Sequence, residues 1–519
     1  MRQGHSRQRF SRVCAAVACA VLLGPNALGV TLWISDVSVV PRDEKTAILQ
    51  FNISWEGSWR NEVNHDAAWV FFKAKIEDEP ALPAHWSRPA AAGKAAKPQA
   101  ESEKAWQHVR LAANRVMNPD GYGQTGDGTP VECIVPDGPD GFTGVFLRRA
   151  TYGRPKALKA NGVTVLWDLT ATQGVTKKLK AQVRGYGIEM VYVPEGPFYL
   201  GTGGAEANAF YQYTDGVHNA QPYRVTSADP IPTGRKNGCL WAGGATPQDG
   251  GEIQAAFPNG YRAFYCMKDT ISRRQYSDFM NALSPAQADA RYHPRIVIRS
   301  GKGPDHVYHP YAAAHRYGTT AVGLSWADGA AFAAWAALRP ITEMELEKAV
   351  RGPCDPIQNE VGPSVWGLQG FSEHDWHALK LIHQSERAVT IGNAAGRLFR
   401  GTHGHGSLDL PADWPQEDAV GAGMRCSYWG FGNLENARSR ALMSDIPFYI
   451  PAHEGALQMP RARLSDRLNA ALVDPDRQPH HRWRGVRTVP PEADPAMAVT
   501  LRGPSTGAGQ GKQDTGRRL

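Results

Sequence analysis

Only three stretches of this 519-residue chain carry the signals of a helix. The rest reads as short strand-like runs and loops, punctuated by 37 Pro and 54 Gly, with 15 Trp as large apolar anchors. Pro removes a backbone donor and Gly loosens the backbone, so long helices and regular bundles do not fit. The first helix is expected over Ser272–Leu283, capped by Ser272, with Tyr276, Phe279, Met280 and Leu283 on one face. The second is the Ala-rich run Trp326–Leu338. The third opens at Thr342, where Thr342-Glu343-Met344-Glu345 reads as a capping box. Apolar residues are 42% and charged residues 21%, which excludes a wholly disordered or collagen-like chain. The net charge of +7 is small for this length, and no basic block in the central chain could follow a phosphate backbone. Nucleic acid is therefore not an expected partner.

The N-terminus reads as an export signal. Arg2, Arg7, Arg9 and Arg12 precede the apolar run Val13–Leu23, and small residues follow at Ala27 and Gly29. This is the pattern of a secretory signal peptide over residues 1–29. The run is short for a hydrocarbon core of ~30 Å, so no transmembrane span is expected after cleavage. Cys19 follows too little apolar sequence for a lipoprotein. The expected location is secreted, or periplasmic within the cell envelope. Cys14 and Cys19 lie in the leader, leaving Cys133, Cys239, Cys266, Cys354 and Cys426. Wide spacing without a CxxC pair argues against zinc and against a disulfide-dense scaffold, while leaving room for one or two bridges.

Strand-like runs dominate residues 30–185: Val30–Ile34, Ala47–Trp55, Ala68–Lys75, Gly144–Leu147, Val163–Trp167 and Val175–Val183. They predict an all-β N-terminal domain, most simply a β-sandwich, with an Ala/Pro/Lys-rich insertion near 80–104. A second domain is expected over 186–489, followed by a disordered tail over 490–519. The fold class is therefore α+β.

Ordered blocks of the second domain resemble the formylglycine-generating enzyme / sulfatase-modifying-factor family, and Phe51–Lys75, Ala388–Asn393 and Asp418–Gly423 resemble a secreted bacterial branch of it. The ordered blocks are Met190–Gly201, Phe264–Lys268 with Ile271, Ser272, Gln275, Tyr276 and Phe279, Ala321–Ala330, Arg339–Gly352 and Trp483–Arg487. The resemblance implies an irregular C-type-lectin-like fold. It also implies structural work for the motif residues: Trp326 in the core, Thr342, Glu343 and Glu345 at a helix start, and Arg484 as a planar donor to buried carbonyls.

The family's oxidase chemistry needs two nearby thiols that hold copper(I). Here Arg425-Cys426-Ser427-Tyr428-Trp429 stands in that segment, and no second Cys follows Cys426. Cys426 is thus only a weak catalytic candidate. Calcium, which the family also binds, is not expected either, because Phe371–His377 replaces the block that helps hold it; Thr270, where the family has Glu, is a further departure. His374, His377, His383, His403 and His405 could suggest a metal, but flanking glycines and missing carboxylates favour solvated or hydrogen-bonded imidazoles. Asn52-Ile53-Ser54 matches a glycosylation acceptor inside an expected strand, and Gly201–Gly204 reads as a turn. The family's arginine-containing strand aligns with either Asn436–Arg440 or Arg463–Arg467. The second choice makes 430–460 an insertion.

Three function classes compete. The leading expectation is an exported binding or assembly module that contacts a protein, peptide or glycan through the 360–460 loops. The alternative is a protein-modifying oxidoreductase of the formylglycine-generating type with a rearranged site. The third is an envelope structural component assembled through residues 30–185.

Overall fold

The computed structural model describes residues 32–76, 106–112, 129–134, 142–171, 175–176, 180–204, 206–215, 221–243, 251–303, 306–311, 320–321, 323–358, 360, 364–369, 385–425, 464–477, 481–489 and 498–501. The leader, the expected insertions near 80–104 and 430–460, Cys426 and most of the tail lie outside these residues. The described residues are mostly strand with four helices, broadly α+β.

The N-terminal part contributes β1 (Leu32–Pro41), β2 (Thr46–Arg60), β3 (Asp66–Ile76), β4 (Val131–Ile134), β5 (Val145–Arg149), β6 (Gly153–Asp168) and β7 (Ala181–Val193). Further strands are β8 (Phe264–Met267), β9 (Arg339–Pro340), β10 (Ser385–Val389), β11 (Ala422–Arg425), β12 (His481–Trp483), β13 (Gly485–Thr488) and β14 (Ala498–Leu501). One sheet dominates, in the order β9-β13-β8-β7-β3-β5-β4-β14, with Gln107–His108 also paired to β3. The tail thus contributes a strand: the β-favouring run Ala498–Leu501 pairs antiparallel with β4.

β3 explains the layering. Its continuous apolar run Ala67–Phe72 has no polar alternation, so both faces are buried. Ala67, Trp69 and Phe71 face a core shared with the helices, while Ala68, Val70, Phe72 and Ala74 face a core shared with the separate sheet β1-β2-β6. Lys73 ends the helix-facing row. Its buried Nζ donates to the carbonyls of Trp335 at 2.8 Å and Gly406 at 2.5 Å. β7 runs through the boundary expected near residue 185. It pairs with β3 over most of its length and with β8 through Met190–Val193. It begins at Ala181; of the strand expected over Val175–Val183, Val175, Thr176 and Lys180 are not strand, and 177–179 lie outside the described residues.

Capping sets the helix starts. α1 (Arg273–Met280), α3 (Trp326–Trp335) and α4 (Glu343–Arg351) open on capping boxes at Ser272, Ser325 and Thr342. α2 (Pro285–Arg291) was not expected, although Ser284-Pro285-Ala286-Gln287 supplies both a box and a proline at the first turn. α3 stops before Leu338 because Ala337 takes a left-handed φ of 55°. Among the described residues no helix is long and apolar enough to cross a membrane.

Candidate binding basin above a buried Arg–Glu lattice

α4 carries Glu343, Glu347 and Arg351 four residues apart, so one helical face holds all three. Glu343 accepts from Arg467 Nε at 2.7 Å, Arg425 Nη1 at 3.2 Å and Ile391 N at 2.7 Å. Glu347 accepts from Arg425 Nη2 at 2.7 Å, Arg351 Nη1 at 3.1 Å and Gly201 N at 2.8 Å. All these charged side chains are buried. Burial alone would raise the Glu347 carboxyl, but Arg425, Arg351 and the Gly201 N–H outweigh it and hold it low. The Gly201 turn is therefore anchored to this lattice. Leu464–Arg467 also returns to it: Arg425 Nη2 donates to Leu464 O at 2.9 Å, and Ser465 Oγ accepts from Arg351 at 2.7 Å. Asn436–Arg440, the other candidate for the arginine strand, lies outside the described residues.

The remaining motif side chains are equally engaged. Trp326 is buried, donates from Nε1 to Pro415 O at 2.8 Å and lies 5.6 Å from the Trp483 ring. Arg484 donates to Met267 O, Lys268 O and Gln369 O and pairs with Glu386 at 2.8 Å. Thr342 Oγ accepts from Glu345 N and donates to Pro258 O at 2.8 Å. Glu345 returns a bond to Thr342 N and receives both terminal nitrogens of Arg339, at 2.8 and 2.6 Å.

These last contacts place a surface feature. Thr342 grips Pro258, and Lys348, six residues on, donates to Tyr261 O at 2.8 Å. Burial pushes Lys348 down to about 7. Together they hold the 258–262 segment as one rim. The opposite rim is the 400–403 turn, tied by Asp413 Oδ2, which accepts from Arg400 N at 2.8 Å. Gly401 adopts φ +77°, and a Cβ there would lie 2.7 Å from Pro258 Cγ, so only glycine lets the rims approach. Between them lies a basin of about 350 Å³, floored by Arg339, Glu345 and Thr488, within the size range of small-ligand sites. Arg262 and Arg400 stand exposed on its two sides, and neither guanidinium has a partner among the described residues. With Arg339 neutralised by Glu345, the basin keeps two positive charges. His403 faces it with Nε2 accepting from Thr488 N at 2.9 Å, which assigns the proton to Nδ1.

The Arg339–Glu345 pair and the α4 ladder carry a sequence signal in their spacing that the motif reading passed over. Arg262, Arg400 and His403 carry none, because Arg262 lies far in sequence from the other two and meets them only through the fold.

Cys133 and Cys266 do not fit a copper(I) pair. Cys133 on β4 and Cys266 on β8 are four strand steps apart in one sheet, roughly 19 Å at ~4.8 Å per step. Burial pushes the Cys133 thiol up to about 12 and the Cys266 thiol also upward, against metal-ready thiolates. Cys426 lies outside the described residues, as do His374, His377, His383 and the Phe371–His377 block. Among the described residues no group of three or more His, Cys, Asp or Glu side chains is placed to hold a metal. Asn52 is a bridge between strands, donating to Asp36 and accepting from Gly162 N. No protein-family model matches this chain, and a search of curated proteins found no match, so any family assignment rests on the residues themselves.

Proposed function

We propose that the chain is an exported, secreted or periplasmic member of the sulfatase-modifying-factor type that works as a binding module on a C-type-lectin-like scaffold. Its basin captures an acidic group of a peptide or glycan partner. The observation that carries this reading is the pair of exposed guanidiniums, Arg262 and Arg400, that line one hollow without a partner among the described residues. Guanidiniums favour carboxylate or sulfate in bidentate geometry. The motif residues support the reading differently: Thr342 and Glu345 are consumed by bonds at the wall of the hollow, and Glu343 and Arg484 by buried bonds elsewhere in the core.

The test is binding of acidic peptides and uronate-containing oligosaccharides to the full chain by calorimetry at two ionic strengths. The Arg262→Ala/Arg400→Ala double variant is expected to weaken binding about tenfold or more, and salt to weaken the parent similarly. If no acidic probe binds, or the double variant binds unchanged, the reading is wrong. The oxidoreductase alternative has its own assay. Cu(I) titration of the full chain against a Cys426→Ser control is expected to show equal uptake, whereas stoichiometric binding lost in the control would put the oxidase first.

A further inference from the structure

The two guanidiniums of the basin call for an anion, and the rest of its lining narrows which one. Ala228, Ala255, Ala256 and Pro258 line the same hollow as Arg262 and Arg400, with Ala255 and Ala256 exposed. The wall beside the charges is therefore made of methyl and methylene groups. Glu345 is the one acidic side chain in the lining. Arg339 and Thr342 N already occupy both of its oxygens. Asn259 is spent as well: Oδ1 accepts from Tyr261 N at 2.9 Å and Nδ2 donates to Ser227 O at 3.0 Å. Phe257 supplies the one benzene ring of the lining, and it is buried.

The floor adds a donor. Thr488 Oγ accepts from Arg339 Nε at 2.9 Å, and a hydroxyl that accepts still has its own hydrogen to give. The side-chain groups left for a ligand are thus Arg262, Arg400 and the Thr488 hydroxyl, all donors, beside an apolar wall of small residues.

We propose that the basin captures the C-terminal carboxylate of a peptide that ends in a small apolar residue such as alanine or valine. This inference rests on the binding-module reading and selects the peptide within it. A sugar brings several hydroxyls that each donate as well as accept. Glu345 and Asn259 have no oxygen to spare for them, and no exposed ring in the lining offers a stacking face. An aspartate or glutamate inside a peptide carries its carboxylate at the tip of a side chain, so its backbone stays outside and the alanine wall goes uncovered. At a chain end the carboxylate and the last side chain branch from one Cα. The carboxylate then takes the guanidiniums in charge-assisted bonds while the side chain covers Ala255 and Ala256. Capture of a chain-end carboxylate is a recurring mode of peptide recognition, and an N-terminal amine would be repelled by both arginines.

Four N-acetylated pentapeptides on a Gly/Ser background test this by calorimetry with the full chain: one ending in valine as the free acid, its amide, one ending in glycine as the free acid, and an amide with a central aspartate. The valine acid is expected to bind. Its amide should bind about tenfold more weakly or worse, and the glycine acid about threefold more weakly or worse. Arg262→Ala and Arg400→Ala are each expected to weaken the valine acid about fivefold or more. Ala256→Asp, at an exposed position that tolerates a polar side chain, should do the same by setting a carboxylate in the wall, and thermal melts of each variant check the fold. Equal binding of acid and amide, equal binding of the valine and glycine acids, or tighter binding of the aspartate amide or of a uronate trisaccharide would overturn the proposal and leave the basin as an anion site. Failure of every acidic probe would overturn the basin reading itself.

Discussion

Replacing Glu343 with glutamine is expected to cost about 3–5 kcal/mol of folding free energy, the range for removing one partner from a buried ion pair. That is a large share of the ~5–15 kcal/mol that holds a typical domain together. The carboxylate is fully buried and accepts from Arg467, Arg425 and the Ile391 N–H. Glutamine keeps the shape but loses the charge, and its amide group brings N–H donors to a place already crowded with them. Arg425 keeps Glu347 at 2.7 Å, whereas Arg467 loses the carboxylate facing its fork. The double variant Glu343→Met/Arg467→Met should recover part of the loss, because two buried charges then leave together. Recovery stays incomplete, since the Ile391 N–H loses its acceptor at a cost of about 1–3 kcal/mol. Guanidinium titration followed by tryptophan fluorescence reads both numbers. A single-variant cost under about 1 kcal/mol would mean that water reaches the lattice and that burial does not set its energetics.

Mild acid should weaken the fold as well. His65 lies stacked on Tyr192 with Nε2 3.0 Å from Tyr265 Oη, and His108 is buried with Nε2 2.7 Å from Thr143 O. Burial, reinforced by Arg148 and Arg60 for His65 and by Lys73 and Arg110 for His108, holds both imidazoles well below the ordinary 6.5. As pH falls through 6.5 the unfolded chain takes up protons that the folded chain refuses. Stability therefore drops with falling pH, by up to about 1.4 kcal/mol per pH unit for each histidine. Asp66 opposes this. Burial raises its carboxyl despite Lys268, so the folded chain binds that proton first and gains stability on acidification. It can cancel at most one histidine. The net expectation is a loss that approaches about 1.4 kcal/mol per pH unit towards pH 5 where Asp66 cancels one histidine in full, and is larger where it cancels less, with Glu347, held low, adding to the loss below its ordinary 4.5. Denaturation midpoints across this range measure the slope, and His65→Phe, which retains a ring on Tyr192, should flatten it by one proton. A flat profile in the parent would show that both sites open to water.

Much of the local structure was legible in the residues. Ser272 and Thr342 marked helix starts because a side-chain oxygen and a Gln or Glu three residues later satisfy backbone donors within one turn, whatever the rest of the chain does. Ser284 with Gln287 carried the same signal for α2, and the proline between them hid it. Helix ends were harder. Ala337 turns left-handed at the end of α3, where Leu338 N donates back to Ala333 O and Arg339 enters the central sheet, a decision made by packing rather than propensity.

The sequence alone determined the long N-terminal strands, where α1, α3 and α4 begin, and that apolar runs such as Ala67–Phe72 must be covered on both sides. These follow from periodicity and capping, which act over a few residues. Tertiary structure alone decided that β7 would join both halves of the chain in one sheet, that Arg425 and Arg467 would meet Glu343, and that Arg262 and Arg400 would line one open basin. Charge pairing and concavity depend on groups brought together from distant positions, and no local pattern records such a meeting before the sheet and α4 have set the distances.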